Sequence, residues 1–169
     1  MDRTRAVPLA ILVASAALVG SALLFQYVGG LQPCELCLYE RWPYYAMIVL
    51  SALALAARRP GVSAWVTGIA ALTFLAGAGL AFYHVGVELH WFAGPSACTG
   101  AAGGGGSIED FRKQLMAQQP VRCDEPQWSL IGISLAGWNL LASLALLVFC
   151  VSALRWPSLR QAEARRRAA

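Results

Sequence analysis

The chain has 169 residues, of which 58% are hydrophobic and 13% charged, and its formal net charge is +4. Soluble domains of this size carry nearly twice that share of charged residues, so the composition excludes an ordinary soluble globular protein. The apolar residues stand in long uninterrupted runs, which a helix needs to cross the roughly 30 Å hydrocarbon core of a bilayer. The sequence therefore predicts an all-α, polytopic integral membrane protein.

Four apolar runs predict a four-transmembrane-helix bundle, built as a single membrane domain over residues 1–169. The predicted spans are residues 8–28, 36–57, 62–83 and 131–154. Residues 42–57 alone would reach only about 24 Å as a helix. We therefore expect the second span to begin near Cys34 to Leu36, with Cys34 and Cys37 at its membrane-facing start. The first run is longer than the apolar core of a signal peptide, and three further spans follow it.

Lysine and arginine concentrate in three segments, 1–7, 58–61 and 155–169. Basic residues mark the cytoplasmic ends of spans, so we expect both termini and the connection 58–61 to be cytoplasmic. The loops 29–41 and 84–130 then face the periplasm of a bacterial inner membrane. The net positive charge is a signal of topology, and no nucleic-acid partner is expected.

The second periplasmic loop contains a flexible tract and a candidate surface helix. The tract is Gly103–Gly106, where the chain has little conformational restraint. Ser107 can cap a short helix after it, because Ile108, Phe111 and Leu115 recur at helical spacing. This helix is predicted either to be interfacial, lying in the headgroup region, or to cover the protein itself, and both readings remain open.

Four of the five cysteines fall in the predicted periplasmic loops, namely Cys34, Cys37, Cys98 and Cys123. Cys150 falls in the fourth span, where we interpret it as a small apolar residue. The periplasm favours disulfides, and the simplest pairs are Cys34–Cys37 and Cys98–Cys123. Four cysteines allow three pairings, so the connectivity stays open.

The Cys-x-x-Cys motif at Cys34 and Cys37 has three common meanings. A zinc site needs a second ligand pair at comparable spacing, whereas Cys98 and Cys123 are far apart and no His lies beside either. Haem attachment needs a His directly after the second cysteine, and Leu38 stands there. The motif therefore predicts a redox pair, and no metal is expected.

Two residues near the motif are candidates for binding a cofactor. Arg41 follows Cys37 by four residues, so on one continuous helix the two share a face. Its guanidinium can stabilise a Cys37 thiolate or an anion beside it, whereas the alternative is an Arg that anchors the span by snorkelling. His84 ends the third span on the same side. It can donate a hydrogen bond or a proton to a bound group, or it can be satisfied by backbone or water.

The segment 33–41, with the sequence PCELCLYER, closely resembles the first periplasmic loop of the disulfide bond formation protein B (DsbB) family. Residues 82–84 (FYH) and 123–128 (CDEPQW) are similar to two further segments of that family. The resemblance extends over about residues 8–154. The glycine tract 103–106 has no counterpart that can be matched residue by residue, which leaves partner docking and the surface helix open.

The resemblance implies a relay of disulfide exchanges. A reduced periplasmic DsbA-like protein, a thioredoxin-fold partner, attacks the Cys98–Cys123 disulfide through Cys98. Cys123 is then linked with Cys34, and Cys37 is freed to interact with a membrane quinone, ubiquinone or menaquinone. The quinone takes two electrons and restores the Cys34–Cys37 disulfide.

In this reading the protein is a dithiol:quinone oxidoreductase, and Arg41 and His84 hold the quinone. Three alternatives remain. The chain is a specialised paralogue that serves one dedicated client oxidant, or a non-catalytic membrane protein with structural disulfides, or a metal-binding membrane protein.

Overall fold

The computed structural model describes residues 3–95 and 121–168, with side chains described for 5–95 and 121–155. The chain is mostly helical, as predicted. Cys98, the Gly103–Gly106 tract and the expected surface helix from Ser107 to Leu115 lie outside the described residues. In chain order the elements are α1 (Arg3–Tyr27), α2 (Glu35–Tyr39), α3 (Trp42–Ala57), α4 (Pro60–Glu88), β1 (Ser129–Leu130), β2 (Ile133–Ser134) and α5 (Leu135–Ala168).

Among the described residues, three helical stretches are long and apolar enough to cross a membrane: Arg5–Tyr27, Pro60–Glu88 and Leu135–Arg155. Their outer surfaces carry large apolar side chains, such as Leu72 at 70% and Val148 at 66% exposure. Ser15, Thr67 and Ser143, in contrast, are buried. Small and polar residues between helices with an apolar exterior are typical of helices packed in lipid. The chain is therefore a membrane protein.

The predicted second span, 36–57, is divided into two helices. α2 ends at Tyr39 and α3 begins at Trp42. Pro43 accounts for the break, because it has no N–H to donate to the Tyr39 carbonyl and its ring would clash with that group. The 16 residues of α3 reach only about 24 Å, which is short of the three longer helices.

The third predicted span, 62–83, continues as α4 to Glu88, so His84 lies inside the last turns of a helix and not at the start of a loop. His90 has a positive φ of 60°, and the Trp91 N–H donates to the Gly86 carbonyl at 2.8 Å. A left-handed residue with this bond pattern closes a helix end. The second loop therefore leaves α4 in a defined direction.

The fourth predicted span, 131–154, corresponds to α5, which begins only at Leu135 and continues to Ala168. Ile131 and Gly132 form the turn between β1 and β2, with φ values of 55° and 76°. Positive φ at both central positions defines a two-residue hairpin turn of type I′. Ser134 then caps α5, since its Oγ accepts a hydrogen bond from the Gly137 N–H at 3.1 Å.

The long helices pack as two pairs, α1 with α3 and α4 with α5, and α3 and α4 join the pairs. The core between them includes Ile11, Met47, Phe74 and Cys150, each fully buried. α1 and α5 touch each other little. A cavity lies between them, beside α2, and the candidate site is at that end of the bundle.

Candidate functional site

The Cys-x-x-Cys motif forms the start of α2. Cys34 is the N-cap residue, in an extended conformation with φ −72° and ψ 170°. Its Sγ accepts a hydrogen bond from the Cys37 backbone N–H at 3.2 Å, so the sulfur satisfies a donor that the short helix leaves unpaired. The described cysteines are free thiols, and the geometry is therefore that of the reduced protein.

Cys123 lies beside the motif, in the segment that leads into the hairpin. It is 1% exposed and packs in one buried cluster with Cys34, Leu36 and Val87. The structure thus brings together three of the four cysteines that the sequence singles out, whereas Cys98 falls outside the described ranges. Cys34 and its potential partner in disulfide exchange, Cys123, therefore lie in the same buried apolar cluster.

His84 connects the motif to a carboxylate. Its Nε2 lies 3.6 Å from the Cys34 Sγ, and its Nδ1 lies 2.8 Å from Oε1 of Glu40. An ionised carboxylate only accepts hydrogen bonds, so Nδ1 carries the hydrogen and Nε2 faces the sulfur. A thiol, an imidazole and a carboxylate in this order can move a proton to or from the thiol, since the third group orients the second.

Glu40 is held from its other side by a chain of hydrogen bonds that joins α3 and α5. Asn139 donates from Nδ2 to Oε2 of Glu40 at 2.8 Å. The Asn139 Oδ1 accepts from the Tyr44 hydroxyl at 2.5 Å, which leaves the Tyr44 oxygen to accept from Ser143 Oγ at 2.8 Å. Every bond in the chain therefore points towards the carboxylate, which is only 7% exposed.

The sequence patterns above do not single out Glu40, Asn139 or Tyr44. One signal was present for Asn139, because it is the only amide or charged side chain within residues 131–154. A strongly polar side chain at membrane depth indicates function. No local spacing links positions 40, 84 and 139, because their meeting depends on how three helices pack.

Arg41 lies at the site, but not on the helix face that the sequence predicted. The expectation of one continuous helix face shared with Cys37 is wrong, because α2 ends before Arg41, which is the N-cap residue of α3. Its Nη1 donates to Oε1 of Gln26, on α1, at 2.6 Å. Arg41 and Cys37 nevertheless line the same cavity.

That cavity has a volume of about 670 Å³, within the roughly 300–1,000 Å³ typical of small-molecule sites. Cys34, Cys37, Arg41 and His84 all contribute to its polar end. The remaining walls are largely apolar and come from α1 and α5, with contributions from Leu18, Val19, Ala22, Leu141 and Ala142. The space therefore suits a molecule with one polar end and a hydrophobic body.

The two thiols of the motif differ in acidity. The pKa of Cys37 is lowered to about 7, chiefly by its hydrogen bond with the Cys34 side chain, although burial opposes the shift. The pKa of Cys34 is raised, because it holds the proton of that hydrogen bond and because it is buried. Cys37 is thus the more acidic thiol of the reduced pair.

The sequence also has relatives among known proteins. The sequence model of the family "Disulfide bond formation protein DsbB" matches residues 4–153. An uncharacterized protein, RP370 of Rickettsia prowazekii, is 28% identical over 158 residues, which cover 92% of this chain and 91% of its own. A disulfide bond formation protein B of Verminephrobacter eiseniae is 33% identical over 160 residues, with 90% and 89% coverage.

A third relative, disulfide bond formation protein B of Aromatoleum aromaticum, is 29% identical over 153 residues, which cover 88% of this chain and 90% of the relative. No solved structure gives a significant match.

Proposed function

Since the chain belongs to the disulfide bond formation protein DsbB family, we propose that it is a thiol oxidase of the bacterial inner membrane. It takes two electrons from a reduced periplasmic DsbA-like protein and passes them to a membrane quinone. Family membership and the names of the relatives support the role in disulfide formation. The observation that carries the finer proposal is the meeting of Cys34, Cys37 and His84 at the polar end of the cavity, with Cys123 packed beside Cys34.

The proposed relay begins with two disulfides, Cys98–Cys123 and Cys34–Cys37. A thiolate of the partner attacks Cys98 and forms a mixed disulfide, which releases the Cys123 thiolate. Cys123 then attacks Cys34, and the Cys34–Cys37 bond breaks. Exchange of this kind needs the two sulfurs side by side, and the shared burial of Cys34 and Cys123 supports it.

This second attack releases Cys37 as the leaving group. A thiol of lower pKa leaves faster, and the lowered pKa of Cys37, about 7, therefore favours the step. The partner's second thiolate then attacks the partner's own sulfur in the mixed disulfide and releases the Cys98 thiolate. Cys98 attacks Cys123, which re-forms the Cys98–Cys123 bond, breaks the Cys123–Cys34 bond and releases Cys34. The partner leaves oxidised, and the two electrons remain on the Cys34–Cys37 dithiol.

Oxidation of that dithiol also requires that protons leave the two sulfurs. His84 supports this step, because its Nε2 faces the Cys34 Sγ at 3.6 Å. Glu40 acts as a positioning residue, since its carboxylate holds Nδ1 and stabilises the positive charge that the ring gains with a proton. We assign His84 the role of proton acceptor for Cys34.

The cavity fits a quinone in size and in the distribution of its polar groups. Arg41 and His84 provide cationic or hydrogen-bonding groups that suit the carbonyl oxygens, and Cys37 lines the same end. The apolar walls from α1 and α5 suit a hydrocarbon tail. When bound, a quinone supplies an acceptor for two electrons and two protons. Whether it is ubiquinone or menaquinone, Arg41 is the residue we assign to holding its ring.

Four membrane crossings are also part of the proposal. α3 repeats the surface pattern of the longer helices, with Met47 and Ser51 buried but Val49 and Leu53 58% and 59% exposed. α3 supplies the second crossing, and α2 lies at its periplasmic end. The basic residues of 1–7, 58–61 and 155–169 support cytoplasmic termini, with the motif at the periplasmic end.

The test is quinone reduction by the detergent-purified protein, followed by ultraviolet absorbance, with a reduced periplasmic thioredoxin-fold protein as the electron donor. We expect turnover that is abolished by Cys34→Ser and by Cys37→Ser. Cys150→Ala is the matched control, because Cys150 is a buried thiol in the helix core, away from the cavity. It should keep turnover near that of the unmodified protein.

Full activity in Cys34→Ser or Cys37→Ser would contradict the relay. Absence of turnover with every donor, with disulfides intact and inert, would favour the non-catalytic alternative with structural disulfides. A comparison of several reduced donors separates a general oxidase from a paralogue dedicated to one client oxidant.

A further inference from the structure

Three atoms that bind metals in proteins converge at the site. They are the Sγ atoms of Cys34 and Cys37 and a ring nitrogen of His84, and all lie within 4.8 Å of one another. The sequence argument against zinc was that no second ligand pair stands at suitable spacing. The fold instead supplies a third ligand from α4, a helix distant in sequence from the motif on α2.

One of the three ligand pairs has the separation that tetrahedral coordination requires. Zinc–sulfur bonds of about 2.3 Å and zinc–nitrogen bonds of about 2.0–2.1 Å, at tetrahedral angles, separate a sulfur and a nitrogen by about 3.5–3.6 Å. The Cys34 Sγ and the His84 Nε2 are 3.6 Å apart. These two ligands can therefore bind one ion without a change in backbone position.

The surroundings of His84 also match those of a metal ligand. A histidine that binds a metal through one nitrogen usually donates the N–H of the other to a carboxylate. Glu40 accepts that hydrogen bond from Nδ1 at 2.8 Å, which leaves Nε2, the nitrogen that faces the Cys34 Sγ, to bind the metal. Asn139 holds Glu40 in place from the other side.

The cavity provides an entry path and space for a fourth ligand. Cys34, Cys37 and His84 all line the cavity, so an ion can reach them from it. A site with three protein ligands and one open position commonly completes its coordination with water. Two thiolates and one imidazole favour Zn²⁺ over Mg²⁺ or Ca²⁺, which prefer oxygen ligands.

We propose that the reduced Cys34–Cys37 pair and His84 form a three-ligand Zn²⁺ site whose fourth position faces the cavity. The ion replaces the thiol protons, no electrons move, and both sulfurs stay reduced. A disulfide between Cys34 and Cys37 removes both thiolates, so the oxidised protein lacks the site. Zn²⁺ therefore competes with thiol oxidation, which is a property beyond the proposed function.

The test uses Co²⁺ and Zn²⁺ as probes of the full-length protein in detergent, with neither quinone nor thiol donor present. Reduced protein should bind one Co²⁺ with thiolate-to-cobalt charge-transfer absorption, and Zn²⁺ should displace it. Protein with its Cys34–Cys37 disulfide formed should give no such absorption. Cys150→Ala should bind as the unmodified protein does, because that thiol lies outside the site.

Cys37→Ser and His84→Ala should each weaken binding strongly, and Glu40→Gln should weaken it by about 10- to 100-fold, as expected for loss of a carboxylate behind a metal-bound histidine. Equal Co²⁺ binding by oxidised and reduced protein would overturn the proposal. This comparison uses only the unmodified protein, so it does not depend on the folding of any variant. Unchanged affinity in His84→Ala would overturn the proposal as well. These experiments do not measure electron transfer. Failure of the proposed metal site can therefore be distinguished from failure of the proposed oxidase activity.

Discussion

Glu40 and His84 are 44 residues apart in sequence, yet Oε1 of one and Nδ1 of the other are separated by 2.8 Å. Their side chains are 8% and 3% exposed. Glu40 stands at the break between α2 and α3, and His84 lies in the last turns of α4. The break at Pro43 therefore does more than end a helix, because it lets the Glu40 side chain meet α4 and α5.

Substitution Glu40→Gln should lower the turnover number for quinone reduction by about 10- to 100-fold. A hydrogen bond to a charged group contributes about 1.5–3 kcal/mol, and each 1.4 kcal/mol is a factor of ten in rate. The Michaelis constant for quinone should change less than the turnover number, because Glu40 orients His84. Steady-state kinetics at several quinone concentrations measures both quantities.

Glu35→Gln is the matched control for that substitution, because Glu35 is exposed on the same short segment. It should leave the turnover number nearly unchanged at saturating donor. Equal kinetics for the Glu40→Gln and unmodified proteins would remove Glu40 from the mechanism.

The reduced protein should show an unusually acidic thiol at Cys37. Because its pKa is lowered to about 7 from an ordinary value of 9.0, the thiolate should persist as the pH falls and be lost only near pH 7. Cys34→Ala removes the largest cause of the shift and should move the midpoint upwards, towards 9. Alkylation rates from pH 5 to 10, with Cys37 followed by mass spectrometry, test both statements; a common midpoint near 9 would refute them.

Arg41→His should raise the Michaelis constant for quinone by about tenfold while leaving that for the thiol donor nearly constant. A tenfold change corresponds to a loss of about 1.4 kcal/mol of binding free energy, which is reasonable for removal of a charged donor at the polar end of the cavity. Arg59→His, at the opposite end of α3, is the control. An unchanged quinone dependence in Arg41→His would return Arg41 to the role of an anchor at the membrane surface.

Asn139→Leu should destabilise the protein by about 1–3 kcal/mol, because it deprives Glu40 of a donor and Tyr44 of an acceptor inside the bundle. Thermal unfolding in detergent measures the loss, with Ser152→Ala on the exposed face of the same helix as the control. Combination with Tyr44→Phe should be less than additive, since both changes act on one hydrogen-bonded chain. Full additivity would mean that the chain does not act as a unit.

Much of the architecture follows from residue type and spacing. Apolar runs identify the long helices, and the motif at Cys34 and Cys37 identifies the reacting groups. The break before α3 could also have been predicted, since Pro43 has no N–H to continue the helical hydrogen bonds from Tyr39 and Glu40. The start of α5 could be predicted only in part. Gly132 suggests a turn before the helix, but a positive φ at a non-glycine residue such as Ile131 is uncommon and therefore hard to predict.

The polar chain behind the motif is a different case. Glu40 is one of several acidic residues in its region, and nothing in its immediate neighbours distinguishes a buried carboxylate from an exposed one such as Glu35. Its burial results from the packing of α4 and α5 against the α2–α3 junction. The side chains at 40, 84 and 139 acquire a common role only through tertiary structure.

The cavity extends along α1 from Gln26 to Leu18, a depth of about 12 Å at the rise of an α-helix. An occupant that runs along this wall stays at the level of the acyl chains over most of its length. The occupant can therefore enter the cavity without leaving the bilayer. Passage through water would cost about 0.8 kcal/mol of free energy for each methylene group exposed. Exchange of the occupant can then take place within the plane of the membrane, without passage through water.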